Sequence, residues 1–386
     1  MYINERIPKY EVAILLFFLA FELIYNYTTQ LSLYGLNVFF SRYAFVYIAA
    51  FVYNIYLFVG HGWKVLFQKG IFKTIFPTVV FFAYMACYSK EAIDLIWHYI
   101  SYILFFFNLY VVYLDYRHRK TINRVVDVLW YLGILGFMII KNRNVGMTIT
   151  GPTYLLLLLF PLFYQEKKSA FVFRFLILTV VVIISGKRGA FLAFTIAALL
   201  SYLTNALFNN KNRSNIFKIA FSMGAMTIIV LGLLSINGSI MISRLGEMQD
   251  DGGSGRDVIS EVVWESFLFS NSSEKIWGHG SNSVIGDDLS NGLSAHDDFL
   301  EILYDYGIVG LVLLIIMVIL VLLQALTSIK KSSPNVQSFL FLFFCVLIIC
   351  FVSHIFIYPH NYFEFLIVYS LLLSREYVWR NSNPIN

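Results

Sequence analysis

The residues able to do chemistry collect in one polar stretch between Asn237 and His296. It holds Arg244 and Arg256, a series of acids from Glu247 to Asp288, and glycines at Gly252, Gly253, Gly255, Gly278 and Gly280; His296 leads directly into Asp297 and Asp298. These types suit three kinds of work. Arginine carries a fixed positive charge and binds planar anions through paired hydrogen bonds. Histidine changes charge near neutral pH and can move protons. Adjacent acids such as Asp297 and Asp298 invite a divalent cation, held through carboxylates and substrate phosphates. A chain that spends its polar residues in one loop has placed its chemistry there.

The elements around this stretch must be membrane helices. The chain has 386 residues, 59% of them hydrophobic and only 13% charged, whereas a soluble domain carries about 25% charged residues. One large water-soluble core is therefore excluded. Crossing a bilayer takes roughly 20 apolar residues in a helix. Candidate spans are Tyr10–Tyr25, Tyr34–Phe58, Phe72–Cys87, Ile93–Leu114, Ile122–Ile140, Tyr154–Tyr164, Phe171–Ser185, Ala190–Phe208, Ile216–Ile236, Gly307–Ile329, Phe339–Ile357 and Tyr362–Trp379. The expectation is an all-α polytopic membrane protein of about 12 transmembrane helices. Residues 1–386 form a single integral membrane domain, with one large extracytoplasmic loop over 237–304. The first run lacks a small-residue cleavage site and reads as a helix that stays. Cys87, Cys345 and Cys350 lie in or at the edge of apolar runs and read as small buried residues, not a zinc or disulfide framework.

Basic residues set the orientation. The connections at His61–Lys73, Arg117–Arg124, Lys167–Arg174, Lys211–Lys218 and Lys330–Lys331 are all basic, and they alternate with weakly charged ones. By the positive-inside rule both termini face the cytoplasm and the long polar stretch faces outside. The formal charge of +5 is thus topological and does not indicate a nucleic-acid partner. Lys141, Arg143, Lys187, Arg188 and Arg256 fall on the outer side against this rule. Snorkelling to lipid headgroups accounts for single cases; several together point to an anionic ligand. Glu22 and Arg42 sit inside the first two spans at matching depth, as a structural ion pair or with Arg42 lining a route to the anion. Ser185–Gly186–Lys187–Arg188–Gly189 forms a cationic turn with almost no loop, where glycine permits close backbone approach to a phosphate.

The polar stretch contains an ordered series of short motifs. Ser254–Gly255–Arg256 is followed by Trp264, then Gly278–His279–Gly280, then Ala295–His296–Asp297–Asp298–Phe299–Leu300, then Gly307–Ile308–Val309–Gly310 at the start of an apolar run. This succession resembles the O-antigen polymerase and O-antigen ligase superfamily of bacterial envelope glycan assembly. The sequence departs from that pattern at Asp297, where the family usually has Asn. The resemblance implies a GT-C-like helical bundle in the bacterial cytoplasmic (inner) membrane. It also implies a metal-independent, inverting glycosyltransferase that needs no cofactor. Its substrate would be an oligosaccharide on undecaprenyl pyrophosphate, and its partners an acceptor glycan, membrane lipids and a chain-length regulator protein. Carried onto this chain, the pyrophosphate-binding arginines are Arg188 and Arg256, with Arg143 before Gly151–Pro152 a looser match and Arg42 on the approach. The Ala-His histidine, His296, is the general base that takes the acceptor hydroxyl's proton, and Asp297 orients or tunes it.

Other readings stay open at this level. His279 and His360 could join the pocket. Trp264 and Trp277 could stack on sugar rings or pack the loop at the membrane interface. The activity expected first is repeat-unit polymerisation for lipopolysaccharide or capsule. A ligase that transfers the glycan to lipid A core or another acceptor is the alternative. A flippase would carry charges along a path open to both faces, commonly with an internal repeat; the charges here gather on the outer side and no repeat is evident. Replacing Arg188 or Arg256 with Ala is expected to lower use of the lipid-linked donor by tenfold or more, the order of one lost charge-assisted contact. Membrane levels should stay normal, and initial rates against donor concentration check this.

Overall fold

The computed structural model describes residues 7–32, 44–63, 71–87, 92–143, 151–165, 167–208, 256–287, 289, 294–357 and 359–382. The ninth candidate span, Ile216–Ile236, lies outside these residues, as do Ser254, Gly255 and Arg42. Within them the chain is helical and has no strand. We number the helices α1 (Lys9–Ser32), α2 (Ala44–Leu57, running into a π-turn at Phe58–Gly62), α3 (Ile71–Cys87), α4 (Ala92–Leu114) and α5 (Tyr116–Arg143). Next come α6 (Gly151–Leu159, followed by a 3-10 turn at Phe160–Phe163), α7 (Lys168–Ile184) and α8 (Arg188–Phe208). The polar stretch holds α9 (Arg256–Phe269), α10 (Ser272–Trp277) and α11 (Ser283–Gly286). The chain then returns to long helices, α12 (Asp298–Lys330), α13 (Val336–Val352) and α14 (Pro359–Ser382).

Among the described residues, three helices are long and apolar enough to cross a membrane by length and composition: 116–142 in α5, α8 and α12. Shorter apolar helices accompany them in α2, α3, α4, α6, α7 and α13. The expected short sixth span is a different object. Every residue of α6 and its 3-10 turn is buried, and about 13 residues at 1.5 Å each cannot cross a ~30 Å core. This segment is a plug inside the bundle. Phe160 sits at its end among Tyr164, Phe171, Phe175 and Phe341, with ring centroids 5.4–5.6 Å apart.

The centre of the bundle is α14, buried without a break from Asn361 to Ser374. Its long Tyr, Phe, Leu, Ile and Val run suits a core position. It packs along α4, while α13 lies between α8 and α12. Phe82 of α3 stacks on Tyr362 at 3.7 Å, and Tyr102 of α4 on Phe363 at 4.4 Å. The hydroxyl of Ser370 donates to the Phe106 carbonyl at 2.8 Å, so this polar group is satisfied inside the apolar packing. Among the three cysteines, Cys345 and Cys350 are buried as expected, but Cys87 at the end of α3 is exposed.

Two glycines fasten the polar stretch to the bundle. Inside α12, Gly307 takes φ 65° and ψ −170°, which breaks the helix into a short first part and a long apolar second part. From Gly307 to Lys330 the second part spans roughly 35 Å at 1.5 Å per residue. The break frees carbonyls that a straight helix would use. His279 donates its backbone N–H to the Tyr304 carbonyl at 3.1 Å and Gly280 donates to Asp305 at 2.8 Å. Tyr84 of α3 directs its hydroxyl to the carbonyls of Trp277 and Tyr306, both at 3.0 Å. The backbones meet so closely that a Cβ on Gly278 would lie 2.2 Å from the Asp305 oxygen, and one on Gly307 2.3 Å from the Ile276 oxygen. Both glycines also have positive φ, the region L-residues avoid.

The next-to-last apolar run also departs from expectation. Phe339–Ile357 reads as one span in the sequence, but α13 ends at Val352. Residues 353–357 are irregular and buried or nearly so, because side chains from α12 take over their hydrogen bonds. Gly307→Ala is expected to destabilise the protein by about 3 kcal/mol, from a disfavoured φ and a backbone clash. A fall in the thermal midpoint of the detergent-solubilised protein is the check.

Candidate functional site

Asp297 begins the site by starting α12. Its carboxylate accepts from the N–H groups of Phe299 at 2.8 Å and Leu300 at 3.1 Å, which caps a helix end that has no partners of its own. Burial pushes its carboxyl above the ordinary range, the neighbouring Asp298 adds to this, and the two amide bonds and His354 oppose it. Asp297 is therefore engaged in positioning the chain.

The next acid lies deeper. Asp298 is fully buried. One of its oxygens meets His354 Nδ1 at 3.1 Å; the other accepts from the backbone N–H groups of Ile355 at 2.7 Å and Phe356 at 3.1 Å. This one carboxylate holds the irregular segment after α13 in place. The other nitrogen of His354, Nε2, is 2.9 Å from Ser294 Oγ and 3.8 Å from Glu301 Oε1. Glu301, one turn along α12 from Asp297, also accepts the backbone N–H of Ala295. The Asn361 amide donates to the His354 carbonyl at 2.8 Å, tying the first turns of α14 to the same place.

His296 stands against this cluster. Its backbone has φ 58°, an uncommon conformation outside glycine. The flanking contacts hold it there: Ala295 on Glu301, Ser294 on His354, and the Asp297 cap. The His296 ring stacks on the His354 ring with centroids 5.1 Å apart and planes 25° apart. His354 is 1% exposed, whereas His296 is half-buried, so His296 is the imidazole a substrate can reach. Burial alone would lower the proton affinity of His354. The hydrogen bond to Asp298 and the charges of Glu301 and Asp298 outweigh it, Lys187 works against them, and the net direction is upward.

Lys187 belongs to the cationic turn that leads into α8. Ser185 ends α7 with its hydroxyl on the Val182 carbonyl at 2.7 Å, and accepts the Lys187 N–H at 3.1 Å. Gly186 takes φ 66°, and α8 starts at Arg188. Gly189 packs against the end of α13: a Cβ there would meet Val352 Cγ2 at 3.0 Å and the Tyr154 hydroxyl at 3.2 Å. The Lys187 ammonium lies 5.9 Å from the Tyr154 ring. Close backbone approach thus brings the turn carrying Lys187 and Arg188 to the segment that carries His354.

The other expected residues fall as follows. Arg256 opens α9; its side chain is outside the described set. The helix it begins packs Val263 and Phe267 with Val284, Ala295, Leu303 and Tyr304 in a small second core, which brings α9 against the loop of His296. Arg143 is the last residue of α5, and its side chain, like those of Glu22 and His360, lies outside the described set. His279 is built into the fold: Nδ1 is 3.1 Å from the Tyr304 carbonyl, Nε2 is 3.0 Å from Ser270 Oγ, and the ring stacks on Tyr304 at 4.1 Å. Trp264 and Trp277 are both exposed beyond two-fifths. Asp297 and Asp298 point to different protein partners, and among the described residues no three His, Cys, Asp or Glu side chains form a metal-holding group.

Sequence reasoning did not single out His354, Ser294 or Glu301. A signal for His354 exists, because Ser353–His354 is a polar pair inside an otherwise apolar run.

A family model described as O-antigen ligase matches residues 173–315. The match runs from α7 into α12. It contains the 185–189 turn, Arg256 and His296 to Asp298, and stops before His354. No curated protein matches the chain. The resemblance to the O-antigen polymerase and ligase superfamily is thus shown over this region. Asp298→Ala is expected to destabilise the protein by about 3–5 kcal/mol, as for a buried pair that loses one member. Protease resistance and the thermal midpoint should both drop, and Asp298→Asn should recover part of the loss by keeping one acceptor oxygen.

Proposed function

Taking as premise that residues 173–315 match the O-antigen ligase family, we propose that this membrane protein is an inverting glycosyltransferase of bacterial envelope glycan assembly. The donor is an oligosaccharide on undecaprenyl pyrophosphate and the acceptor is a sugar hydroxyl. Transfer takes place at the outer face of the cytoplasmic membrane, with both termini on the inner side. The observation that carries this reading is the placement of His296. It is a half-buried imidazole on a clamped left-handed loop, in a cluster that also feels the Lys187 charge of the 185–189 turn.

The chemistry follows from those parts. The acceptor oxygen attacks the anomeric carbon and forms the new glycosidic bond. The bond from that carbon to the pyrophosphate oxygen breaks, and the pyrophosphate leaves with the electron pair. Arg188, Arg256 and Arg143 neutralise the growing negative charge, and Arg42 lies on the approach. Arginine suits this work because it stays charged at any working pH. His296 accepts the proton of the attacking hydroxyl, which requires it to be neutral beforehand. Positive charge from arginine makes a metal unnecessary in this scheme. In the protein Asp297 caps the helix that follows His296, so its part is to position the base.

We favour repeat-unit polymerisation. Ligation is the second reading, supported by the description of the matching family; the two share the donor and the chemistry and differ in acceptor. Surface polysaccharide from a deletion strain complemented with wild type or His296→Ala separates them. Single repeat units in the deletion strain, with no long chains restored by His296→Ala at normal membrane levels, are expected. Long lipid-linked chains that never reach a final acceptor would make the protein a ligase. Long chains restored by His296→Ala would remove His296 as the base.

A further inference from the structure

A buried histidine with two acids at its edge lies directly behind the reachable one. Asp298 Oδ1 is 3.1 Å from His354 Nδ1 and Glu301 Oε1 is 3.8 Å from Nε2. All three groups are at most 3% exposed. At such depth charges are weakly screened, so two acids on opposite edges of one imidazole favour its doubly protonated form. The imidazolium in turn lies 5.1 Å, ring to ring, from His296. A cation at that separation opposes a second cation on His296. We propose that His354, held as an imidazolium between Asp298 and Glu301, is a positioning residue that keeps the stacked His296 ring neutral and oriented to receive the acceptor's proton. This deepens the reading above and rests on His296 being the base.

The groups around His354 from every packed element agree with this assignment. From α12 come Asp298, Glu301 and, one residue further out, Asp297. Ser294 on the loop meets Nε2 at 2.9 Å. Cys350 on α13 has its thiol against Asp298. The opposing charge is Lys187, from the turn before α8. Lys187 is also a cation near the pair, so it too disfavours a charged His296. The arrangement separates two demands that one histidine cannot meet. A base at a pyrophosphate site must be neutral, while the pocket behind it must balance the buried Asp298 and, beside it, Glu301, whose carboxyl burial pushes up to about 7.

The test is the pH dependence of kcat/KM for transfer from an undecaprenyl-pyrophosphate repeat unit by the full-length protein in nanodiscs. His354→Asn keeps a donor for Asp298 but cannot carry charge. We expect its acid limb, where activity is lost as His296 protonates, to move upward by about one pH unit or more relative to wild type. A purely structural role would lower activity at all pH values without moving that limb, and an unmoved limb overturns the inference. Should His354→Asn fail to fold, histidine-labelled wild type decides by NMR titration, with His296→Ala assigning the reachable ring. An imidazolium at His354 through pH 7, with His296 titrating below its usual value near 6.5, supports the inference. A neutral His354 at pH 7 overturns it. An active His296→Ala removes the base assignment itself; an inactive His296→Ala together with an unmoved limb in His354→Asn removes only the role of His354.

Discussion

One carboxylate joins the two halves of the site. Asp298 opens α12, fully buried, and accepts from the His354 ring and from the N–H groups of Ile355 and Phe356. A carboxylate taken out of water loses several kcal/mol of hydration unless hydrogen bonds replace it. Here three donors do, and all come from the segment after α13. That segment stops being helical at Val352 because its amides find a better acceptor than the preceding turn. The same carboxylate fixes His354, His354 stacks under His296, and the chain leaving His354 enters α14, which is buried from Asn361 to Ser374.

The acids at the head of α12 divide the work of holding a polar loop against an apolar bundle. Asp297 caps the helix. Asp298 binds the segment across from it, and Glu301 holds Ala295. Asp305 accepts from the amides of Asn282, Ser283 and Val284 at 2.8–3.3 Å and so starts α11 from another helix. Each acid turns toward the protein interior. The Gly307 break completes the arrangement. It exposes carbonyls of α12 to the 277–280 turn, and His279 serves there as a structural brace between Tyr304 and Ser270.

Small residues bring the cationic turn to the same place. Gly189 lets α8 approach the end of α13 so closely that a Cβ there would crowd Val352, and Gly186 reverses the chain after α7 in a conformation that glycine adopts freely. Helix packing, more than any long loop, is what brings the turn carrying Lys187 and Arg188 against the end of α13.

The amino-acid sequence by itself determined the helical, membrane-embedded character of the chain, the position of its polar stretch, His296 and the Ser-Gly-Lys-Arg-Gly turn. Those features are local: long apolar runs, a change of composition and short ordered motifs are visible without knowing what touches what. It also led to Asp297 as the acid beside His296, since adjacency is what a sequence displays. Only the tertiary structure decided that Asp297 is a helix cap and that Asp298, Glu301 and His354 form the buried group behind His296. Asp298 and His354 are 56 residues apart, and the family resemblance ends before His354. A pairing between distant residues is fixed by how α12 and α13 pack and by where a buried carboxylate finds its donors, and neither leaves a pattern in the local sequence. The same reason explains α6, whose apolar run looks like a short span and whose complete burial only the surrounding helices reveal.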